Sequence, residues 1–158
     1  MWSRKKVSSA DPIRLYKDIR AAFDSAGLSY RADDTRLEIY STFEGDDMPI
    51  KLTIGASAEI PLIRFECLLD FQAPAPSFGS VLEGLNTVNA SLHFGAFVLD
   101  PDSGRVLYRY HFMFTDYMPT KNVILAITKM VVDTVDANDG AIKSLIPETT
   151  HFDDPMFG

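Results

Sequence analysis

The sequence predicts an α+β fold, a single domain in which helices pack on one antiparallel sheet. Its 158 residues fit one domain of ordinary size. Apolar residues recur at helical spacing near both ends and in the middle of the chain, and between these regions they alternate with polar residues as in half-buried strands. Short turn sequences join the alternating segments, which favours antiparallel neighbours. The predicted order is α-β-β-β-α-β-β-α.

The domain is expected to span residues 11–146. A flexible basic leader with Arg4, Lys5 and Lys6 is expected at 1–10, and an acidic, partly mobile tail at 147–158. Three apolar residues give the tail docking potential: Phe152, Met156 and Phe157.

The first helix is predicted to start at Asp11 as N-cap, with Pro12 at the first helical position, and to end before Gly27. One apolar stripe suits the core: Leu15, Ile19, Ala22 and Ala26. A second stripe consists of Ile13, Tyr16 and Phe23. It is explained either by a wide face in a well-covered helix or by a partner, and these three are the candidate partner-binding residues.

Three alternating segments follow, and they predict half-buried strands. Their inward positions are Leu37, Ile39 and Phe43, then Ile50, Leu52 and Ile54, then Ile63, Phe65, Cys67, Leu69 and Phe71. Cys67 shares the parity of core residues, so a buried and inert thiol is expected there.

A short helix is predicted after the connector at residues 72–77. Ser80 and Glu83 are spaced as a capping box. Gly84 lowers helix propensity, which indicates close packing against a neighbouring backbone. Val81, Leu82, Leu85 and Val88 supply the apolar face, and Asn89 suits the end of the helix.

Two further strands, Leu92 to Leu99 and Arg105 to Phe114, flank the hairpin sequence of residues 100–104. The first of them is apolar on both parities, so both of its faces need cover. A helix of the same chain can cover one face, and a second copy of the chain is the simplest cover for the other. The predicted homodimer interface is therefore Val81, Leu85, Val88, Phe94, Phe97 and Leu99.

The last helix is predicted to begin near Pro119 and to end at Pro147. Its apolar stripe consists of Ile124, Ile127, Val131, Val135, Ile142 and Leu145.

Charge and cysteine content exclude several classes of function. A net charge of −7 repels phosphate backbones, so no nucleic-acid partner is expected. With Cys67 as the single cysteine, no intramolecular disulfide can form and nothing marks a secreted protein. The absence of a signal-peptide pattern and of any long apolar run predicts a cytoplasmic protein without membrane insertion.

No catalytic motif is found, so the chain is not expected to be an enzyme or to use a cofactor. It lacks the nucleophile elbow, the dinucleotide fingerprint and the Walker loop. Asp100, Asp102 and Gly104 resemble half of a calcium loop, but the twelfth position is His111 instead of glutamate. If Leu99 pairs with Arg105, His93 lies opposite His111, and a metal or small-ligand site near these two histidines is the alternative function.

Residues 84–106 resemble the YbjN family, in which a short helix ending in Leu-Asn-x-x-Asn leads into a strand, an Asp/Gly hairpin and a second strand. The matching positions are Leu85, Asn86, Asn89, Asp100, Asp102 and Gly104. The element order over residues 11–146 is also similar to that family and to the type III secretion chaperones that share its fold. The resemblance implies a bacterial homodimer without established enzymatic activity, described as a sensory transduction regulator.

These observations together predict a non-enzymatic, chaperone-like or regulatory protein. We expect it to hold an unidentified protein or peptide on the surface of a homodimer.

Overall fold

The computed structural model describes residues 11–147, and the side chains from Pro12 onward. The predicted leader, nearly all of the predicted tail and the capping role of Asp11 lie outside these residues. The elements are α1 (Asp11–Ala26), β1 (Arg31–Asp33), β2 (Glu38–Phe43), β3 (Ile50–Ala56), β4 (Leu62–Gln72), a 3₁₀ turn (Ala75–Ser77), α2 (Phe78–Ala90), β5 (Ala96–Leu99), β6 (Arg105–Met113) and α3 (Lys121–Lys143).

The predicted order of helices and strands is confirmed, with one added strand. Within residues 11–147, six strands form a single sheet in the order β1-β2-β3-β4-β6-β5, and every neighbouring pair is antiparallel. The added strand β1 is only three residues long, Arg-Ala-Asp, and has no apolar alternation. It forms because the turn after it brings it back along β2 at the sheet edge.

The three helices lie on one face of the sheet and form the core with it. α1 and α3 pack on each other and on the central strands, while α2 packs on β5. The alternate residues of β4 from Ile63 to Phe71 are buried toward the helices, as their spacing predicts. Cys67 is among them, and burial raises the pKa of its thiol, so the predicted inert thiol fits this position.

The helix ends agree in part with the predictions. Gly27 follows α1 with φ +67°, the left-handed conformation that favours glycine at this position. The capping box at Ser80 is wrong, because α2 already begins at Phe78 after the 3₁₀ turn, and the Ser80 hydroxyl donates to the Ser77 carbonyl. Gly84 does lie in close contact, but with a side chain: a Cβ there would be 2.5 Å from Cδ1 of Leu145.

The predicted strand from Leu92 is too long, and its register is wrong by one residue. Only Ala96–Leu99 is a strand, and Leu99 lies opposite Val106 instead of Arg105. The shift in register accompanies closure of the turn by a hydrogen bond from the Asp100 N–H to the Arg105 carbonyl at 2.8 Å. Gly104 completes the turn at φ +73°.

Asn89 joins the end of α2 to the outer edge of the sheet. Its side-chain oxygen accepts from the Phe97 N–H at 2.8 Å, and its amide donates to the Phe97 carbonyl at 2.9 Å. β5 is the last strand of the sheet, so these two backbone groups have no neighbouring strand. Asn89 therefore occupies the edge where another strand would pair.

We expect Asn89→Ala to lower the free energy of unfolding by about 2 kcal/mol, because two backbone groups lose their hydrogen bonds. Asn86→Ala is the matched control, since Asn86 is an exposed residue of the same helix. Urea denaturation of both variants measures the difference. Equal stability of the two would contradict the role of Asn89 at this edge.

Candidate functional site

Three of the six predicted interface residues belong to the core of the chain itself. Val81, Leu85 and Phe97 are fully buried, so they present no surface to a second copy. The prediction treated eight residues as one strand, whereas Leu92 and Phe94 precede β5 and do not share its faces. α2 of the same chain supplies the cover over Phe97. Of the predicted set, Val88 and Leu99 remain half-buried and Phe94 exposed.

The candidate partner-binding stripe on α1 is also mostly internal. Tyr16 and Phe23 are buried, which supports the wide core face over the partner, and only Ile13 is exposed. The Tyr16 hydroxyl donates to Oδ1 of Asp34 in the turn after β1. Burial and this neighbouring carboxylate raise the pKa of Tyr16 to about 12, so the phenol stays protonated at physiological pH.

The two candidate histidines are not a cross-strand pair, because β5 begins only at Ala96. His93 lies in the bend before β5, and β4 presents Arg64 opposite His111. Nε2 of His111 is 3.4 Å from Oε1 of Glu66, which also faces Arg109. Over residues 11–147, no group of three or more His, Cys, Asp or Glu side chains is placed to hold a metal ion. The geometry thus gives the metal alternative no support.

Large apolar side chains are exposed on segments that the topology places at one end of the molecule, which we call the apolar end. β3, β6 and the segment before β5 all meet there, and α3 begins there. The residues of the apolar end are Ile60, Phe94, Met113, Tyr117 and Val123, with exposed fractions from 37% to 87%. Each comes from a turn, a strand end or the first turn of α3, so helical or strand periodicity does not single them out.

Specific contacts hold these segments in place. The Phe114 N–H donates to the Pro61 carbonyl at 3.0 Å, and Leu62 lies opposite Met113, so the turn before β4 is fixed beside the end of β6. The Phe94 ring meets Tyr110 edge-on with centroids 6.0 Å apart. The Phe94 carbonyl accepts from the buried Tyr108 hydroxyl at 2.8 Å. The part of the apolar end formed by the turn before β4, the end of β6 and Phe94 is therefore preorganised.

The opposite end of the molecule is acidic. The loop between β2 and β3, which we call the 45–49 loop, carries Asp46 and Asp47 and lies against the last turns of α3. Asp139 of α3 is 0% exposed, and neither of its carboxylate oxygens accepts a hydrogen bond. Burial raises the pKa of Asp139 to about 6. The adjacent Gly140 N–H, although not at hydrogen-bond geometry, offsets part of that effect, and nearby carboxylates add to it.

Sequence reasoning missed Asp139, although its position carried a signal. It lies four residues after Val135 and three before Ile142, both of which belong to the predicted apolar stripe. A charged residue at a core position of an amphipathic helix marks either a buried charge or a break in the stripe.

In the part of the chain that the structure describes, no helix is long and apolar enough to cross a bilayer.

Comparisons with known proteins identify one family and one similar fold. The family model YbjN, described as "Putative bacterial sensory transduction regulator", matches residues 16–144. The crystal structure of YbjN from E. coli, described there as "a putative transcription regulator", superposes with a TM-score of 0.65 at 12% identity over 84% of this chain and 95% of that one. At this identity the likeness concerns the fold alone. No curated protein matches the sequence.

Proposed function

The chain belongs to the YbjN family, and on that premise we propose that it is a non-enzymatic regulatory or chaperone-like module that holds a polypeptide at its apolar end. The family description names regulation and no reaction. The sequence lacks the motifs of nucleophilic, phosphate and metal chemistry.

The grouping of exposed apolar side chains at one end carries this proposal. Single exposed apolar residues are common on soluble proteins, but a group of them indicates an interaction site. Aromatic residues and methionine are enriched at the centres of protein interfaces, and Phe94, Met113 and Tyr117 are of these types. A preorganised surface also loses little entropy when a partner binds.

The charge of the chain favours contact with proteins over contact with DNA. The E. coli relative is described as a regulator of transcription. A net charge of −7 opposes the phosphate contacts that supply most of the affinity for DNA. We therefore propose that any regulatory effect of this chain is exerted through a protein partner. A cytoplasmic location stays our prediction.

We further propose a homodimer through the outer surface of α2 and β5. After Val81, Leu85 and Phe97 are assigned to the core, Val88 and Leu99 remain half-buried against that core, and Leu82 is exposed on α2. Two-fold pairing of one such surface is the commonest assembly of soluble proteins. This surface is distinct from most of the apolar end, so dimerisation leaves that end free for a partner.

Two matched substitutions test both parts of the proposal. Phe94 and Leu82 are about equally exposed, 55% and 51%, but only Phe94 belongs to the apolar end. We expect Phe94→Asp to lower the affinity for a captured polypeptide by at least tenfold, which is the loss of about 1.4 kcal/mol at a central interface residue. Leu82→Asp is expected to leave capture unchanged and to shift the dimer toward monomer. A peptide array of proteins from the native bacterium and sedimentation measure the two effects.

Each outcome has a separate meaning. Equal capture by wild type and Phe94→Asp would contradict the apolar end as the binding surface. A wild-type monomer at micromolar concentration would contradict the homodimer without affecting the binding proposal.

A further inference from the structure

The unusual feature of α3 is a carboxylate in its buried stripe. The stripe contains Ile124, Thr128, Val131, Val135, Asp139 and Ile142. Thr128 satisfies its hydroxyl by donating to the Ile124 carbonyl at 2.9 Å. Within residues 11–147 neither oxygen of Asp139 accepts a hydrogen bond of good geometry, and the adjacent Gly140 N–H acts on it only in part. An ionised carboxylate without donors or an opposite charge is strongly unfavourable in such a position.

The charged groups that act on Asp139 are all acidic. Asp136 precedes it by one turn on α3, and Asp47 and Asp46 face it from the 45–49 loop. α1, β3 and β4, which also pack on α3, contribute mainly apolar side chains to the core. Among the strongest influences on Asp139 within residues 11–147, no basic group compensates a negative charge.

The 45–49 loop packs closely against α3 but forms few hydrogen bonds with it. The Asp46 N–H donates to Oδ1 of Asp136 at 2.7 Å. A Cβ at Gly45 would lie 2.6 Å from the same Oδ1, and a Cβ at Gly140 would collide with Oδ2 of Asp47. The two glycines thus permit the approach that brings Asp46 and Asp47 over the end of the helix.

We propose that the 45–49 loop is a proton-dependent latch, closed on α3 while Asp139 carries a proton and opened when Asp139 ionises. A negative charge on the buried Asp139 is unfavourable. It is relieved either when the carboxylate takes up a proton or when water reaches it. Water reaches it when the loop lifts, and lifting also separates Asp46 and Asp47 from Asp136 and Asp139. The raised pKa of Asp139, about 6, places the transition near slightly acidic to neutral pH.

Hydrogen exchange of the full chain tests the latch. Protection factors for the amides of residues 45–48, above all the Asp46 N–H that donates to Asp136, are corrected for the intrinsic pH dependence of exchange and measured between about pH 5 and pH 8. In the wild type we expect protection to fall at least tenfold over this range. In Asp139→Asn, which keeps the shape and removes the charge, protection is expected to stay constant. Asp133→Asn removes an exposed charge from the same helix and should behave as the wild type.

Three results would overturn the proposal. The first is that protection in the wild type does not change with pH. The second is that Asp139→Asn shows the same pH profile as the wild type. The third is that added Ca²⁺ restores wild-type protection at high pH, which would identify a cation instead of a proton as the group that closes the loop. If Asp139→Asn fails to fold, the carboxyl carbon of Asp139 in the wild type is titrated by NMR. A midpoint near its ordinary pKa of 3.8 would then rule out the latch.

Discussion

Phe97→Asp is expected to abolish cooperative folding of the chain. Phe97 is 1% exposed, and its ring packs against Tyr108 with centroids 5.1 Å apart. Loss of a buried phenylalanine alone costs about 3–5 kcal/mol. Burial of an unpaired carboxylate adds several kcal/mol more, so the total approaches the whole stability of a domain of this size.

Far-ultraviolet circular dichroism and urea denaturation measure this effect. Phe94→Asp is the matched control, because Phe94 is exposed and the same substitution there places the charge in water. It should unfold cooperatively at nearly the wild-type midpoint. A folded Phe97→Asp variant that merely dissociates from a dimer would mean that Phe97 faces a partner, as the sequence alone predicts.

The position of Phe97 shows why the sequence reasoning failed for the interface. Apolar residues on both parities from Leu92 to Leu99 look like a strand covered on two sides. Half of that segment is a bend, and α2 and β6 of the same chain enclose Phe97. Strand length depends on pairing with β6, which is a tertiary property that local periodicity does not contain.

Features with a local cause were predicted well. Gly27 ends α1, Cys67 lies inside β4, and the hairpin at residues 100–104 forms where its turn residues stand. The hairpin register was wrong by one residue because it depends on which backbone groups close the turn. That single step separates His93 from His111 and removes the geometry on which the metal alternative depended.

The candidate site itself was largely beyond sequence reasoning. Of the apolar end, only Phe94 was singled out in advance, and for a different reason. Ile60, Tyr117 and Val123 come from separate parts of the chain, and the antiparallel topology places their segments at the same end of the molecule. Their exposure depends on what packs beside them, so a pattern of apolar residues does not distinguish them from core residues.

Asp139→Asn is expected to stabilise the chain at neutral and higher pH. The pKa of Asp139 is about 6 in the folded chain and 3.8 ordinarily. Below pH 3.8 the folded and the unfolded chain both hold the proton on Asp139, so this residue does not reduce the free energy of unfolding. Between the two values the unfolded chain releases its proton first, so wild-type stability falls as pH rises. Above about pH 6 the loss in the free energy of unfolding reaches its full size. A difference of about two between the two pKa values corresponds to a loss of about 3 kcal/mol.

The expected gain for Asp139→Asn is therefore up to about 3 kcal/mol near pH 8 and close to zero near pH 3.5. Urea denaturation across this range measures the difference from the wild type. Asp133→Asn, an exposed substitution on the same helix, should show no comparable dependence on pH. A destabilised Asp139→Asn variant at pH 8 would show that the ionised carboxylate has a favourable partner.

The size of this gain also measures how easily the 45–49 loop opens. An ionised Asp139 that stays buried imposes the full penalty, whereas opening of the loop lets water solvate the carboxylate and limits the penalty to the free energy of opening. A gain smaller than about 3 kcal/mol near pH 8, together with loss of hydrogen-exchange protection in the loop, would indicate that opening of the loop limits the penalty. A gain of about 3 kcal/mol with full protection would indicate that the loop stays closed, and that ionisation of Asp139 weakens the whole fold instead of one loop.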